Sequence, residues 1–266
     1  WFGCACCPSN LCRFIPSVPG YLYGVKDNNI YVNLFAGNTS TIKVNGKDVV
    51  LEETTEYPWN GDIKIAVKKS GVKNANLLVR IPGWVRNQVV PSDLYKYSDA
   101  EKPAYSVTVN GKAVEADLDT NKGYLPVKNI KKGDVIRIHF DMPVRTVVAN
   151  GKVADDKGKV AVERGPLVYC AEAVDNQNVT VLRAVMAKKP AFSLVDNYSI
   201  ENTETKGAPA FSVKAIQTSS QVLDQAADGT VLQEPEATLI PYYAWNHRGA
   251  NQMNVWFYQN LNALDK

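Results

Sequence analysis

The chain has 266 residues, 45% of them apolar and 21% charged, enough to bury a sizeable core and long enough for about two domains of ordinary size. Its 30 Lys and Arg stand against 27 Asp and Glu, a net charge of +3, with the signs interspersed and basic runs no longer than pairs such as Lys131–Lys132. That balance argues against a nucleic-acid surface, and no stretch approaches the roughly 18–20 consecutive apolar residues of a membrane span, so neither partner is expected.

The first residues, WFGCACC, carry neither the basic region nor the apolar stretch of a signal peptide. They read as the inside of something longer, and the compartment, intracellular or periplasmic, stays open. Four of the five cysteines (Cys4, Cys6, Cys7 and Cys12) fall within CACCPSNLCR, residues 4–13. A disulfide knot fits poorly, because such frameworks belong to small secreted domains and an odd total leaves one thiol over. Cys-x-Cys-Cys-x4-Cys supplies soft ligands suited to zinc but lacks two separated Cys-x2-Cys knuckles. An activated nucleophile is the third reading. It needs a thiolate, which a nearby cation or metal can supply, so the metal and nucleophile readings can be one.

Next in the chain, Leu11, Phe14, Ile15 and Val18 recur at helical spacing behind Pro8 and Ser9, and Pro16 and Pro19 cut that helix short. A helix this short with one apolar face needs a partner surface. From about Asn29 the period becomes two. Ile30, Val32 and Leu34 alternate with polar neighbours, as do Ile63–Val67, Val107–Val109, Ile136–Phe140 and Met253–Phe257. This is the pattern of antiparallel strands with one solvated face. Asn45-Gly46, Asn60-Gly61, Asn110-Gly111 and Asn150-Gly151 are the dipeptide that favours type I′ hairpins. IKVNGKDVV leading to GDIKIAV is echoed by VTVNGKAVE leading to GDVIRIHF, which suggests two similar sheets facing each other.

The polar run 141–160 reads as a domain boundary, and 219–237 as a long connection. After it, TLIPYYAW and NQMNVWFY are strand-like and are expected to return to the first set of strands. The organisation that follows is all-β. Residues 1–21 form a helical remnant, 22–141 with 237–266 form one β-sandwich, and 142–236 form a second sandwich inserted in it.

WFGCACCPSNLCR, LLVRIPGWV (77–85), ERGPLVYCAE (163–172) and LIPYYAWNHRGANQMNVW (239–256) together resemble, in order, the landmarks of glycoside hydrolase family 127, the β-L-arabinofuranosidases. The resemblance covers essentially the whole chain. It implies that residues 1–21 close an (α/α)6 catalytic barrel lying upstream. It also implies that Cys6 is the nucleophile that attacks the anomeric carbon, and that Cys7 and Cys6 contact a zinc ion completed by an upstream glutamate and cysteine. The partners implied are an arabinose-containing glycan and the N-terminal barrel of the same protein, and a homodimer is kept as a candidate assembly. The zinc belongs to the full-length parent. A retaining glycosidase also needs an acid/base, which would precede Trp1, so the chain alone is expected to be inactive and to bind zinc poorly.

The remaining candidates have plainer readings. Cys4 and Cys12 are read as structural, although with Cys6 and Cys7 they could form a zinc site of their own. Cys170 is read as core, His139 as a surface group on a strand, and His247 as part of a hairpin turn. Glu163 is read as a carboxylate paired with Arg164, and Trp59, Trp84, Trp245 and Trp256 as core rather than sugar platforms. The competing function is a non-catalytic β-sandwich that supports a barrel or binds carbohydrate, but a thiol pair in a Cys-Cys-Pro-Ser-Asn turn has no use in such a module.

Overall fold

The computed structural model describes residues 6–186, 190–195, 198–200, 210–216 and 236–259. The expectations for Cys4 and for most of the 219–237 connection lie outside the described residues. The chain divides into two compact units: 1–57 with 61–82 and 104–140, and 58–60 with 83–103 and 141–266.

The first unit opens on two short helices, α1 (Cys6–Ser17) and α2 (Pro19–Leu22). α1 already includes Cys6, Cys7 and Pro8, so the thiol pair sits on a helix and not in the turn that its Pro-Ser-Asn sequence suggests. Pro16 lies in the last turn of α1 and has no N–H to continue the ladder. The Val18 N–H closes the turn on the Phe14 and Ile15 carbonyls, both at 3.2 Å. Leu11, Phe14 and Ile15 are 57%, 60% and 63% exposed, and no residue of α1 is buried. The apolar stripe read from the sequence is present, and no described residue covers it.

The strands then run β1 (Tyr23–Lys26), β2 (Asn29–Val32), β3 (Asn38–Val44), β4 (Lys47–Thr55), β5 (Asp62–Ser70) and β6 (Asn76–Arg80). After β7 (Tyr95–Tyr97), which belongs to the second unit, come β8 (Tyr105–Val109), β9 (Lys112–Ala113), β10 (Tyr124–Val127) and β11 (Val135–Phe140). One sheet has the order β1-β2-β6-β10, with β2 and β6 parallel, and the other has the order β3-β4-β5-β11-β8-β9. Alternate residues of both are fully buried, among them Ile30, Leu77 and Leu125 in the small sheet and Leu51, Ile65 and Ile136 in the large one. Each such side chain contributes about 1.5–3 kcal/mol on leaving water. The result is a β-sandwich.

The two echoing segments do not supply the two facing sheets. Both lie in the six-stranded sheet, where β3-β4-β5 and β9-β8-β11 run inward to the β5–β11 pair. Of the four Asn-Gly pairs, two form the expected hairpin. Asn45-Gly46 (φ 48° and 75°) joins β3 to β4, and Asn110-Gly111 (φ 51° and 81°) joins β8 to β9. Gly61 has a different duty, because a Cβ there would lie 2.0 Å from the Phe140 carbonyl oxygen. Glycine at this position lets two backbones meet.

The second unit adds β12 (Val144–Ala149), β13 (Lys159–Arg164), β14 (Leu167–Glu172), β15 (Val185–Met186) and β16 (Phe192–Val195). It ends on β17 (Ala210–Ile216), β18 (Glu236–Pro241), β19 (Met253–Asn254) and β20 (Phe257–Tyr258). Its path is β19-β14-β18-β17-β15-β20-β13-β12-β7, with β16 on β17. A core of Val160, Val162, Tyr169, Met186, Leu239 and Phe257 fills it.

The assignment of 237–266 to the first sandwich is therefore corrected. β18 pairs with β14 and β17, β19 with β14, and β20 with β13 and β15, all in the second unit. The composition of TLIPYYAW marks a strand, present as far as Pro241, but carries no information about its partner. The segment that leaves its sequence neighbours is instead 83–103, whose β7 pairs with β12.

Candidate active site

α1 presents Cys6 and Cys7 on its first described turn, both exposed, with their Sγ atoms 3.8 Å apart. The Ser9 hydroxyl donates to the Cys6 carbonyl at 3.1 Å, and Arg13 donates to the Asn10 side chain on the same helix. Cys12 is also exposed. From Cys6 to Leu22 there is no Asp or Glu, so neither helix offers the pair a carboxylate.

The donor chemistry fits zinc. Two thiolates on one tetrahedral zinc, each about 2.3 Å from the metal, stand about 3.8 Å apart, the separation seen between Cys6 and Cys7. Among the described residues no group of three or more Cys, His, Asp or Glu side chains is arranged to hold a metal. The pair by itself supplies two sulfur donors, and no third donor stands beside it among the described residues.

The other sequence candidates sit apart from it. Cys170 is fully buried in β14, and its thiol is pushed up to about 12 by burial, reinforced by Glu172. It is a core residue. Glu163 does not pair with Arg164. Its carboxylate accepts from the Tyr97 hydroxyl at 3.0 Å and faces Arg145 across β12–β13, and burial raises its pKa. Arg164 instead donates to the Trp59 carbonyl at 2.9 Å. His139 is exposed on β11 with its Nδ1 2.7 Å from Asp62. His247 lies in the loop between β18 and β19, strands that do not pair with each other, so it closes no hairpin. Trp84 is buried and Trp256 stacks on Tyr95 at 5.7 Å, whereas Trp59 keeps an edge at the surface and donates to the Tyr243 hydroxyl at 3.1 Å.

Two buried carboxylate clusters escaped the sequence reading. Glu53, 3% exposed on β4, accepts from the Tyr23 hydroxyl and the Ala36 N–H, both at 3.0 Å. Burial raises its pKa to about 7, against the lowering effect of those two donors. In the second unit Arg248 clamps Glu172 and Asp175, with 2.7 Å from Nη1 to Asp175, and Asn251 donates to Glu172 at 3.2 Å. Burial opposes ionisation of Glu172, but the Arg248 and Asn251 hydrogen bonds outweigh it and hold the pKa down. Isolated Glu residues in strands gave no pattern to find these by.

Comparison with known proteins shows the family of the chain. The model of the β-L-arabinofuranosidase GH127 middle domain matches residues 29–142, and that of the glycoside hydrolase family 127 C-terminal domain matches residues 144–258. The chain belongs to glycoside hydrolase family 127, of which it carries these two domains. It is 31% identical over 96% of its length to a non-reducing end β-L-arabinofuranosidase of Bifidobacterium longum. A solved GH127 β-arabinofuranosidase superposes on 99% of the chain with a TM-score of 0.87 and 48% identity. The GH127 β-L-arabinofuranosidase Ara127N of Geobacillus stearothermophilus T6 covers 97% with a TM-score of 0.76 and 30% identity. The chain spans 37% of the length of the Bifidobacterium relative and 40% and 38% of the two solved structures.

Proposed function

We propose that the chain is the C-terminal part of a retaining glycoside hydrolase that releases β-L-arabinofuranosyl residues from glycans, with Cys6 as nucleophile and Cys6 and Cys7 as zinc ligands. The observation that carries this reading is the exposed thiol pair at zinc-sharing distance, in a chain of this family. An upstream barrel would supply the other zinc ligands and the acid/base, and the uncovered stripe of Leu11, Phe14 and Ile15 gives such a domain a surface to pack on.

In the first step the Cys6 sulfur attacks the anomeric carbon. The carbon–oxygen bond to the leaving group breaks, and that oxygen takes a proton from the acid/base. In the second step water attacks the same carbon, the carbon–sulfur bond breaks, and the acid/base recovers its proton from the water. Zinc, when bound, supplies the positive charge that keeps a thiol ionised near neutral pH. Cys6 and Cys7 are the groups of this chain that would hold it. The helix fixes Cys6 while α2 and β1 tie it to the sandwich.

The test of the class is hydrolysis of p-nitrophenyl β-L-arabinofuranoside by the full-length parent, with the anomer of the first-formed sugar followed by proton NMR. The β anomer is expected from two displacements. First release of the α anomer would overturn the covalent mechanism.

A further inference from the structure

The solvent face of the six-stranded sheet carries a groove of about 370 Å³, whose polar lining is Thr54, Lys64, Ser106, Thr108, Arg137 and His139 together with one acid, Asp62. Strand register explains its chemistry. Thr54, Lys64, Arg137 and Thr108 lie opposite one another across β4, β5, β11 and β8, and Asp62, His139 and Ser106 form the next row. Lys64 and Arg137 are therefore two cations directly opposed on an antiparallel pair, a placement that is destabilising unless something neutralises it. Asp62 is engaged with His139 at 2.7 Å, Glu53 beside Thr54 is buried on the opposite face of β4, and Glu52 is engaged with Lys68 at 3.0 Å. Among the described residues neither Lys64 nor Arg137 has an ion-pair partner.

We propose that this groove is a binding site for the carboxylate of an acidic saccharide, a site separate from the thiol pair; the saccharide part of this assignment rests on the glycan-hydrolase reading above. The guanidinium of Arg137 offers the planar fork that matches a carboxylate, and Lys64 adds a point charge beside it. The hydroxyls of Thr54, Ser106 and Thr108 both donate and accept, which suits the hydroxyls of a sugar ring. The volume falls in the range of small-molecule sites, about 300–1,000 Å³. Such a site would hold an acidic glycan near the enzyme without taking part in bond cleavage.

Titration of the chain with digalacturonic acid, galactobiose and inorganic phosphate, followed by amide chemical shifts, tests it. Digalacturonic acid is expected to bind in the millimolar range and to move amides of β5, β8 and β11, with galactobiose at least tenfold weaker. The Lys64→Ala/Arg137→Ala double variant should weaken the acidic sugar about tenfold or more, and the milder Arg137→Gln in part; both replace exposed side chains and relieve the opposed charges, so the melting temperature should not fall. Absence of binding, binding unaffected by either variant, or phosphate binding as tight as the sugar acid would overturn the proposal. Cys6→Ser should bind as the parent sequence does, so failure of the catalytic reading and failure of this site give separate results.

Discussion

A thiol on an exposed helix is open to solvent and to an incoming substrate, which Cys170 in β14 is not, and this difference separates the effects expected of the two cysteines. In the full-length parent, Cys6→Ser should lower kcat by about a thousandfold or more, as loss of a covalent nucleophile does, while the sandwich stays folded. Cys7→Ser should reduce zinc content together with activity, measurable by metal analysis of the purified protein. Cys170→Ser buries a hydroxyl in place of a soft apolar group and should lower stability by about 1–3 kcal/mol with the kinetics unchanged. Near-normal turnover of the zinc-loaded Cys6→Ser protein would dispose of the nucleophile assignment. Glu53 supplies a prediction in pH. Its folded pKa is raised from 4.5 to about 7, so the folded state holds a proton that the unfolded state has released across that window. Stability from this group is fully present below about pH 4.5 and is lost as pH rises through 7. Wild-type chain should lose roughly 1–3 kcal/mol of unfolding free energy between those values, and Glu53→Gln should flatten that part of the profile. Equal slopes in both proteins, by urea titration at several pH values, would show that Glu53 is not the group responsible.

At the scale of the element, Gly61 has the clearest structural reason for being glycine. It precedes β5 where the chain passes against Phe140, whose N–H donates to the Gly61 carbonyl at 3.0 Å. Gly61→Ala would put a methyl group against the backbone, where no side-chain rotation relieves it. It should cost about 1–3 kcal/mol, whereas Gly151→Ala, with nothing within 4 Å of the added carbon, should cost much less. Thermal unfolding of the two variants makes the comparison, and equal melting temperatures would contradict it. Gly61 also shows where sequence reading stops. Asn60-Gly61 and Asn45-Gly46 are the same dipeptide, yet one closes a hairpin and the other makes a tertiary contact, because the use depends on a strand some 80 residues away. The alternating residues of β5, β8 and β11 were legible as strands since burial has a period of two, and the thiol pair was legible because its composition is unusual. Partners of β18 to β20, the position of β7 and the buried carboxyl of Glu53 were not, since each is fixed by contacts between distant segments.

For the molecule as a whole, the question is how much chemistry a chain with these two units can perform. It offers the proposed zinc two sulfur ligands of the four that a tetrahedral site takes, and its helices carry no carboxyl group to protonate a leaving oxygen. Glu172 and Asp175 are tied to Arg248, and Glu163 is held by Tyr97 beneath the β12–β13 pair, so ion pairing and packing account for these carboxyls. Loss of one tetrahedral ligand already weakens a zinc site greatly, and loss of two leaves an affinity that ordinary chelators overcome. The isolated chain is therefore expected to keep little zinc through dialysis against a weak chelator and to show no turnover of p-nitrophenyl β-L-arabinofuranoside with added zinc and reductant. Addition of the upstream barrel, as a separate polypeptide or in one chain, should restore both together, because the same domain would bring the missing ligands and the acid/base. Robust hydrolysis by the chain alone would mean that an acid/base lies within these residues, and the thiol pair on α1 would then have to be reassigned.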